Sequence, residues 1–134
     1  MVDAADAVDL SQVKRVWKPD LEQNVTEREE KLMKQIKDTL KELGIMPNLK
    51  GYHYLADAIE LCIEEVKTRK SVSSWMWIYR KVARIHNTTH SRVERCIRNA
   101  VDKATHTELY KKIIYEDTNS AFIALVAEYV MEEM

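Results

Sequence analysis

Between Met1 and Met134 the chain contains two glycines, Gly44 and Gly51, and two prolines, Pro19 and Pro47. A sandwich or barrel of comparable length needs a turn about every 8–12 residues, and glycine and proline make such turns with the least strain. With so few breakers, connections must be few and elements long, which leaves helices as the regular structure. The expectation is all-α, a compact domain of five to six helices. A single domain of this length buries roughly two thirds of the surface its unfolded chain exposes.

The breakers fall in step with hydrophobic periodicity. In TEREEKLMKQIKDTLKELG (26–44), Thr26 and Glu29 have the spacing of a capping box. Leu32, Met33, Ile36, Leu40 and Leu43 then form an apolar stripe, and Gly44 suits the left-handed position that closes a helix. Residues 1–24 carry a weaker pattern and read as an N-terminal arm, weakly ordered or holding one short helix, ahead of a domain over 25–134. After the connector IMPNLKG, a second helix places Leu55, Ile59, Cys62, Ile63 and Val66 on one face with acids opposite. Cys62 in that stripe reads as a packed thiol, with nothing nearby to lower its pKa.

Trp75, Ile78, Val82 and Ile85 recur at helical spacing in WMWIYRKVARI, and of Trp75, Trp77 and Tyr79 at least one must face outward. Residues 105–120 are the least regular and are expected to hold a short helix and an irregular turn. Thr118 or Asn119 then caps a last helix with Phe122, Ile123, Val126 and Val130 inward.

Several function classes lose support early. No apolar run approaches the ~20 residues of a membrane span. MVDAADAVDL carries acids and lacks a basic n-region, so no secretory signal is expected there. Cys62 and Cys96 form no CxxC, which fits a reducing, cytoplasmic compartment. There is no Gly-rich phosphate loop and no GxSxG, so neither an enzyme nor a cofactor is expected. His86 and His90 stand four apart, but no cysteine or acid completes a ligand set, and no metal is expected.

Charge supplies the positive lead. The chain is balanced at a net −1, yet residues 67–112 hold twelve Lys or Arg against three Asp or Glu. The 66 residues before them hold nine basic against fourteen acidic residues, and the 22 after them no basic and five acidic. A basic middle between acidic ends is the footprint of a polyanion binder.

Residues 75–104 meet the demands of a helix-turn-helix one by one. The first helix needs a small residue where the second crosses it, and Ala83 supplies that. Four positions on, the turn needs a residue that tolerates positive φ, and Asn87 stands there. Thr89 is placed to cap the second helix. Val93, Cys96, Ile97, Ala100, Val101 and Ala104 then form its apolar face.

Ser91, Arg95, Arg98, Asn99 and Asp102 fall broadly opposite, flanked by Arg92 and Glu94 near the N-terminus. These first turns are the part of a recognition helix that reaches base edges. Arginine can donate two bonds to guanine O6 and N7, and glutamate can accept from cytosine N4. Glu94 also fits a plain surface pair with Arg95 or Arg98. Candidate backbone contacts are Thr89, Ser91, Asn99, Lys103, Arg80, Lys81 and Arg84, with Arg69 and Lys70 nearby; such contacts fix register and make affinity salt-dependent.

Three motifs, KGYHYLADAI (50–59), HNTTHSRVERCIRNAV (86–101) and TNSAFIALVAEY (118–129), carry a resemblance. From about Leu40 onward the chain resembles the DNA-binding effector domain of the sporulation master response regulator, the stage zero sporulation protein A C-terminal family. The resemblance implies a six-helix domain whose helix-turn-helix reads the major groove of double-stranded DNA at a short promoter element. It further implies a homodimer on tandem sites, transcriptional activation or repression, and a polymerase sigma factor as partner. Carried over position by position, the base-reading residues are Arg92, Glu94, Arg95 and Arg98.

The chain also departs from that family. About forty residues precede the matched region, too few for the family's receiver domain, so phosphorylation control is expected to be absent or on another chain. Cys96 and Asn99 replace a small residue and a histidine, and Ala121 replaces an acid. The segment between the recognition helix and the last helix, which includes the sigma-contacting region, is shorter. The alternative is a protein-interaction module derived from the same domain that has lost specific DNA binding.

Overall fold

The computed structural model describes residues 19–134, with side chains described from Glu27. Among the described residues there are six helices and no strand. They are α1 (Pro19–Glu42), α2 (Lys50–Arg69), α3 (Trp75–Ile85), α4 (His90–Asp102), α5 (Glu108–Ile113) and α6 (Asn119–Glu133). The chain divides into two units between Lys31 and Leu32, and residues 32–134 are compact. The described part of the first is the opening of α1; the arm expected over 1–24 lies outside the described residues as far as residue 18.

Helix α1 starts at Pro19, not at the predicted Thr26 cap, so Thr26 and Glu29 lie inside it. Proline suits a first helical position, where its fixed φ fits and its missing N–H is not needed, and no breaker intervenes before Thr26. The predicted close is found. Gly44 has φ +87°, Ile45 N–H donates to the Leu40 carbonyl and Gly44 N–H to the Lys41 carbonyl, both at 3.0 Å. That pair of bonds is a Schellman motif, and its two apolar ends, Leu40 and Ile45, are buried.

Helix α2 corrects the one-faced expectation. Eleven of its twenty residues are buried, including Tyr52, Tyr54 and Leu61 off the predicted stripe, while Val66 is only partly covered. It packs against α3, α4 and α6, so it is covered from several sides. Even Glu65 is buried, with Ser73 Oγ 3.4 Å from its carboxylate. Cys62 is buried in this core, and loss of water pushes its thiol up to about 11, with the charge of Glu65 adding to the effect.

The ends of the remaining helices follow local chemistry. Ser74, Thr89, Thr107 and Thr118 each accept from a backbone N–H of the following turn. Thr118, rather than Asn119, therefore caps α6, whose Phe122, Ile123, Val126 and Val130 are fully buried as expected. In α3 the inward set is Ile78, Tyr79, Val82 and Ala83. Ile85, expected inward, is 56% exposed because the helix ends there and the chain turns away. Trp77 faces outward beneath the Lys81 ammonium, 5.3 Å from the ring centroid, while Trp75 packs on the core edge and Tyr79 is buried.

Candidate nucleic-acid interface

Helices α3 and α4 are joined by a turn whose backbone is set by one residue. Asn87 has φ +54°, in the left-handed region. Thr88 N–H reaches back to the Ala83 carbonyl at 2.9 Å and Asn87 N–H to the Arg84 carbonyl at 3.3 Å, again a Schellman pair. Two residues later the Thr89 hydroxyl accepts from Arg92 N–H at 3.2 Å and starts α4. A further tie comes from α2: His86 Nε2 lies 2.5 Å from Asp57 Oδ2, and its ring packs edge-on against Tyr54. His86 is thus engaged with a carboxylate, and His90 Nδ1 faces Glu94 at 3.7 Å. No cluster of metal-ligating side chains occurs among the described residues.

The seat of α4 is cut to a tight fit. Val93, Ile97, Ala100 and Val101 are buried, and Cys96 and Ala104 pack at the margin of the core. At Gly51 the α2 backbone comes so close that an added Cβ would lie 2.2 Å from the Cys96 carbonyl oxygen and 2.7 Å from the Ala100 methyl. Glycine is required here by proximity, not by φ. Past its C-terminus, Thr105 N–H bonds the Gly44 carbonyl at 3.1 Å and Thr107 Oγ1 bonds the Glu42 carbonyl at 2.7 Å, anchoring the outgoing chain on α1.

What this seat presents is the arginine face. Arg92 and Arg95 are exposed and make no ion pair with another described residue. Glu94 is half-buried; it pairs with neither Arg95 nor Arg98 among the described residues, but stands by His90 and, through its charge, adds to the burial that raises Tyr79 to about 12. Arg98 is also half-buried, and its guanidinium is engaged. Its Nε donates to Asp102 Oδ1 at 3.0 Å and its Nη1 to the Asp117 carbonyl at 2.8 Å, with Nη2 2.8 Å from Asp102 Oδ1. Of the candidate backbone contacts, Thr89, Ser91, Asn99, Lys103, Arg80 and Arg84 are exposed and Lys81 is half-exposed.

The model of the family described as sporulation initiation factor Spo0A C terminal matches residues 36–130. The chain belongs to that family. The match runs from Ile36, the first fully buried residue among those described in α1, to Val130, the last of α6, so it spans the packed core of the 32–134 unit. As a Spo0A C-terminal domain, the chain is a DNA-binding domain of the sporulation regulators, and the family is a regulatory one, not an enzyme family. No helix among the described residues is long and apolar enough to cross a membrane.

Two residues that touch the candidate interface escaped the sequence. Asp117 reaches Arg98 from the loop before α6, and Asn119 Nδ2 donates to the Glu94 carbonyl at 3.0 Å. The α6 cap signal at Thr118 and Asn119 located this loop along the chain, but nothing in it indicated that the loop folds back on α4. Asp102, by contrast, stands at the helical spacing that pairs it with Arg98.

Proposed function

We propose that the domain binds double-stranded DNA sequence-specifically, with α4 in the major groove, and regulates transcription from the bound site. The observation that carries this is the pairing of opposite faces on α4: Val93 and Ile97 are fully buried while Arg92 and Arg95 stand open to solvent near the helix start. Arg92, Glu94, Arg95 and Arg98 read bases, Arg98 after exchanging the Asp102 carboxylate and the Asp117 carbonyl for DNA. Thr89, Ser91, Asn99, Lys103, Arg80, Lys81 and Arg84 meet the phosphates. The working unit is residues 25–134, with the helix-turn-helix at 75–104. A lone helix-turn-helix touches few base pairs, so copies sit side by side on tandem sites. The segment from Lys103 to Asp117 is the part offered to a polymerase sigma factor.

The test is a gel shift with duplexes selected from a random pool, run at several salt concentrations. Repeated half-sites are expected among the selected sequences, and affinity should fall steeply with salt. Retention of every duplex with equal strength would reduce the reading to nonspecific binding. No retention even at low salt would favour the interaction module.

A further inference from the structure

We propose that Asp102 and Asp117 act as an internal stand-in for DNA at Arg98, holding its guanidinium off the duplex and setting how strongly the domain reads the base pair that Arg98 faces. This rests on the DNA-binding reading above and assigns Asp117, a loop residue far along the chain, a part in it.

The geometry of the guanidinium carries the argument. A guanine offers two acceptors, O6 and N7, and a phosphate two oxygens, so either needs two adjacent N–H groups from one edge of the arginine. On Arg98 the Nε and Nη2 edge is taken by Asp102 Oδ1, at 3.0 and 2.8 Å. The other edge is taken by Asp117, with Nη1 2.8 Å from its carbonyl oxygen and Nη2 3.8 Å from its carboxylate. Neither edge is available to DNA until an aspartate lets go. Asp102 supplies an anionic oxygen, as DNA would, and Asp117 supplies a main-chain carbonyl oxygen with its carboxylate 3.8 Å away.

Asp117 is held in place for this contact. Asn119 bonds the main chain of α4 at Glu94, Thr118 caps α6, and Phe122 and Ile123 are fully buried behind them. The chain that follows Asp117 is therefore fastened to the recognition helix within two residues of the contact. The exchange itself remains easy. The side chains of Asp102 and Asp117 are 61% and 58% exposed, so water screens both pairs and neither binds Arg98 strongly. Once Arg98 leaves, both carboxylates face the polyanion, and that repulsion adds to the cost of release. Arg92 and Arg95 carry no such partner among the described residues, so the control falls on one contact of the set.

The test compares the full chain with its Asp102→Asn/Asp117→Asn double variant by fluorescence anisotropy. The probes are the duplex selected by the wild type, that duplex altered at each base pair in turn, and an unrelated duplex. The double variant is expected to bind the selected duplex roughly three- to twentyfold tighter. The gain should concentrate at one base pair and vanish when Arg98→Ala is added. A gain that survives Arg98→Ala, or that is equal on every duplex, would be plain removal of negative charge and would overturn the proposal, as would unchanged affinity. If neither wild type nor double variant binds any duplex at low salt, the DNA-binding reading fails and takes the stand-in with it. Binding by the wild type with no change in the double variant sinks the stand-in alone.

Discussion

Helices α2 and α4 touch at Gly51, and they meet solvent in opposite ways. Eleven of the twenty residues of α2 are buried, against four of the thirteen in α4. Helix α2 is covered by α3, α4 and α6, so more than half of its residues are committed to packing. Helix α4 is covered on one side and has a face to present. The difference separates two tasks that one helix would perform poorly. α2 supplies rigidity and offers a candidate phosphate contact only at its last residue, Arg69, whereas α4 carries the candidate base contacts on a seat that α2 defines.

The strongest way to break this comparison is at the crossing. Gly51→Ala puts a methyl 2.2 Å from a main-chain oxygen that cannot turn aside. Overpacking of this kind costs about 1–3 kcal/mol, and a main-chain neighbour places it at the upper end. Thermal denaturation should show the midpoint falling by roughly 10 °C or more. A midpoint within a few degrees of wild type would mean that the two helices are not locked together.

Next comes the presented face. Arg95→Ala should leave the melting temperature unchanged and remove about 1–3 kcal/mol of discrimination at one base pair. Arg98→Ala should remove less, because its guanidinium must first abandon Asp102 and Asp117. Equal losses from the two, measured on the same set of altered duplexes, would erase the distinction between the open and the engaged arginine.

A smaller effect is expected at the turn between α3 and α4. A β-branched residue in the left-handed region costs about 1–2 kcal/mol, so Asn87→Val should lower stability by that amount in urea, while Asn87→Gly should match wild type or exceed it. Both variants leave α2 untouched. Equal stability of the Val and Gly variants would show that φ at this position does not matter.

The smallest effect reports on how well α2 is covered. The Cys62 thiol is pushed from its ordinary value near 9 up to about 11 by burial. Below pH 9 it is protonated folded and unfolded, and it adds no pH dependence. Between pH 9 and 11 the unfolded chain gives up the proton first, so stability falls as pH rises. Melting curves across that range should descend less steeply for Cys62→Ala than for wild type, and identical slopes would contradict the covered thiol.

Features that depend on neighbours in sequence were legible before any coordinates. Gly44, Asn87 and Thr89 are read from the backbone conformation each position demands, and Val93 with Ile97 from helical period alone. The burial of Tyr52, Tyr54 and Leu61 was not, because a helix covered on several sides depends on which other helices arrive, and the acids of α2 suggested a wet face. Ile85 continues the α3 period but lies where the helix stops, so the period no longer decides its direction. Arg98 shows the same limit at the site. Its place on the outer face was evident, but its capture by a residue nineteen positions away is a tertiary fact. The α1 start failed for a local reason instead: a well-formed capping box occurs inside a helix that already has a permitted beginning at Pro19.

The bond from Asn119 to α4 ends on the peptide carbonyl of Glu94, and no side chain at position 94 is needed to receive it. The outer face can thus be rewritten at 92, 94 and 95 while the fastening of α4 stays the same. On the proposed DNA-binding reading, a change of target preference then needs outer-face substitutions alone, with no compensating repair to the interior.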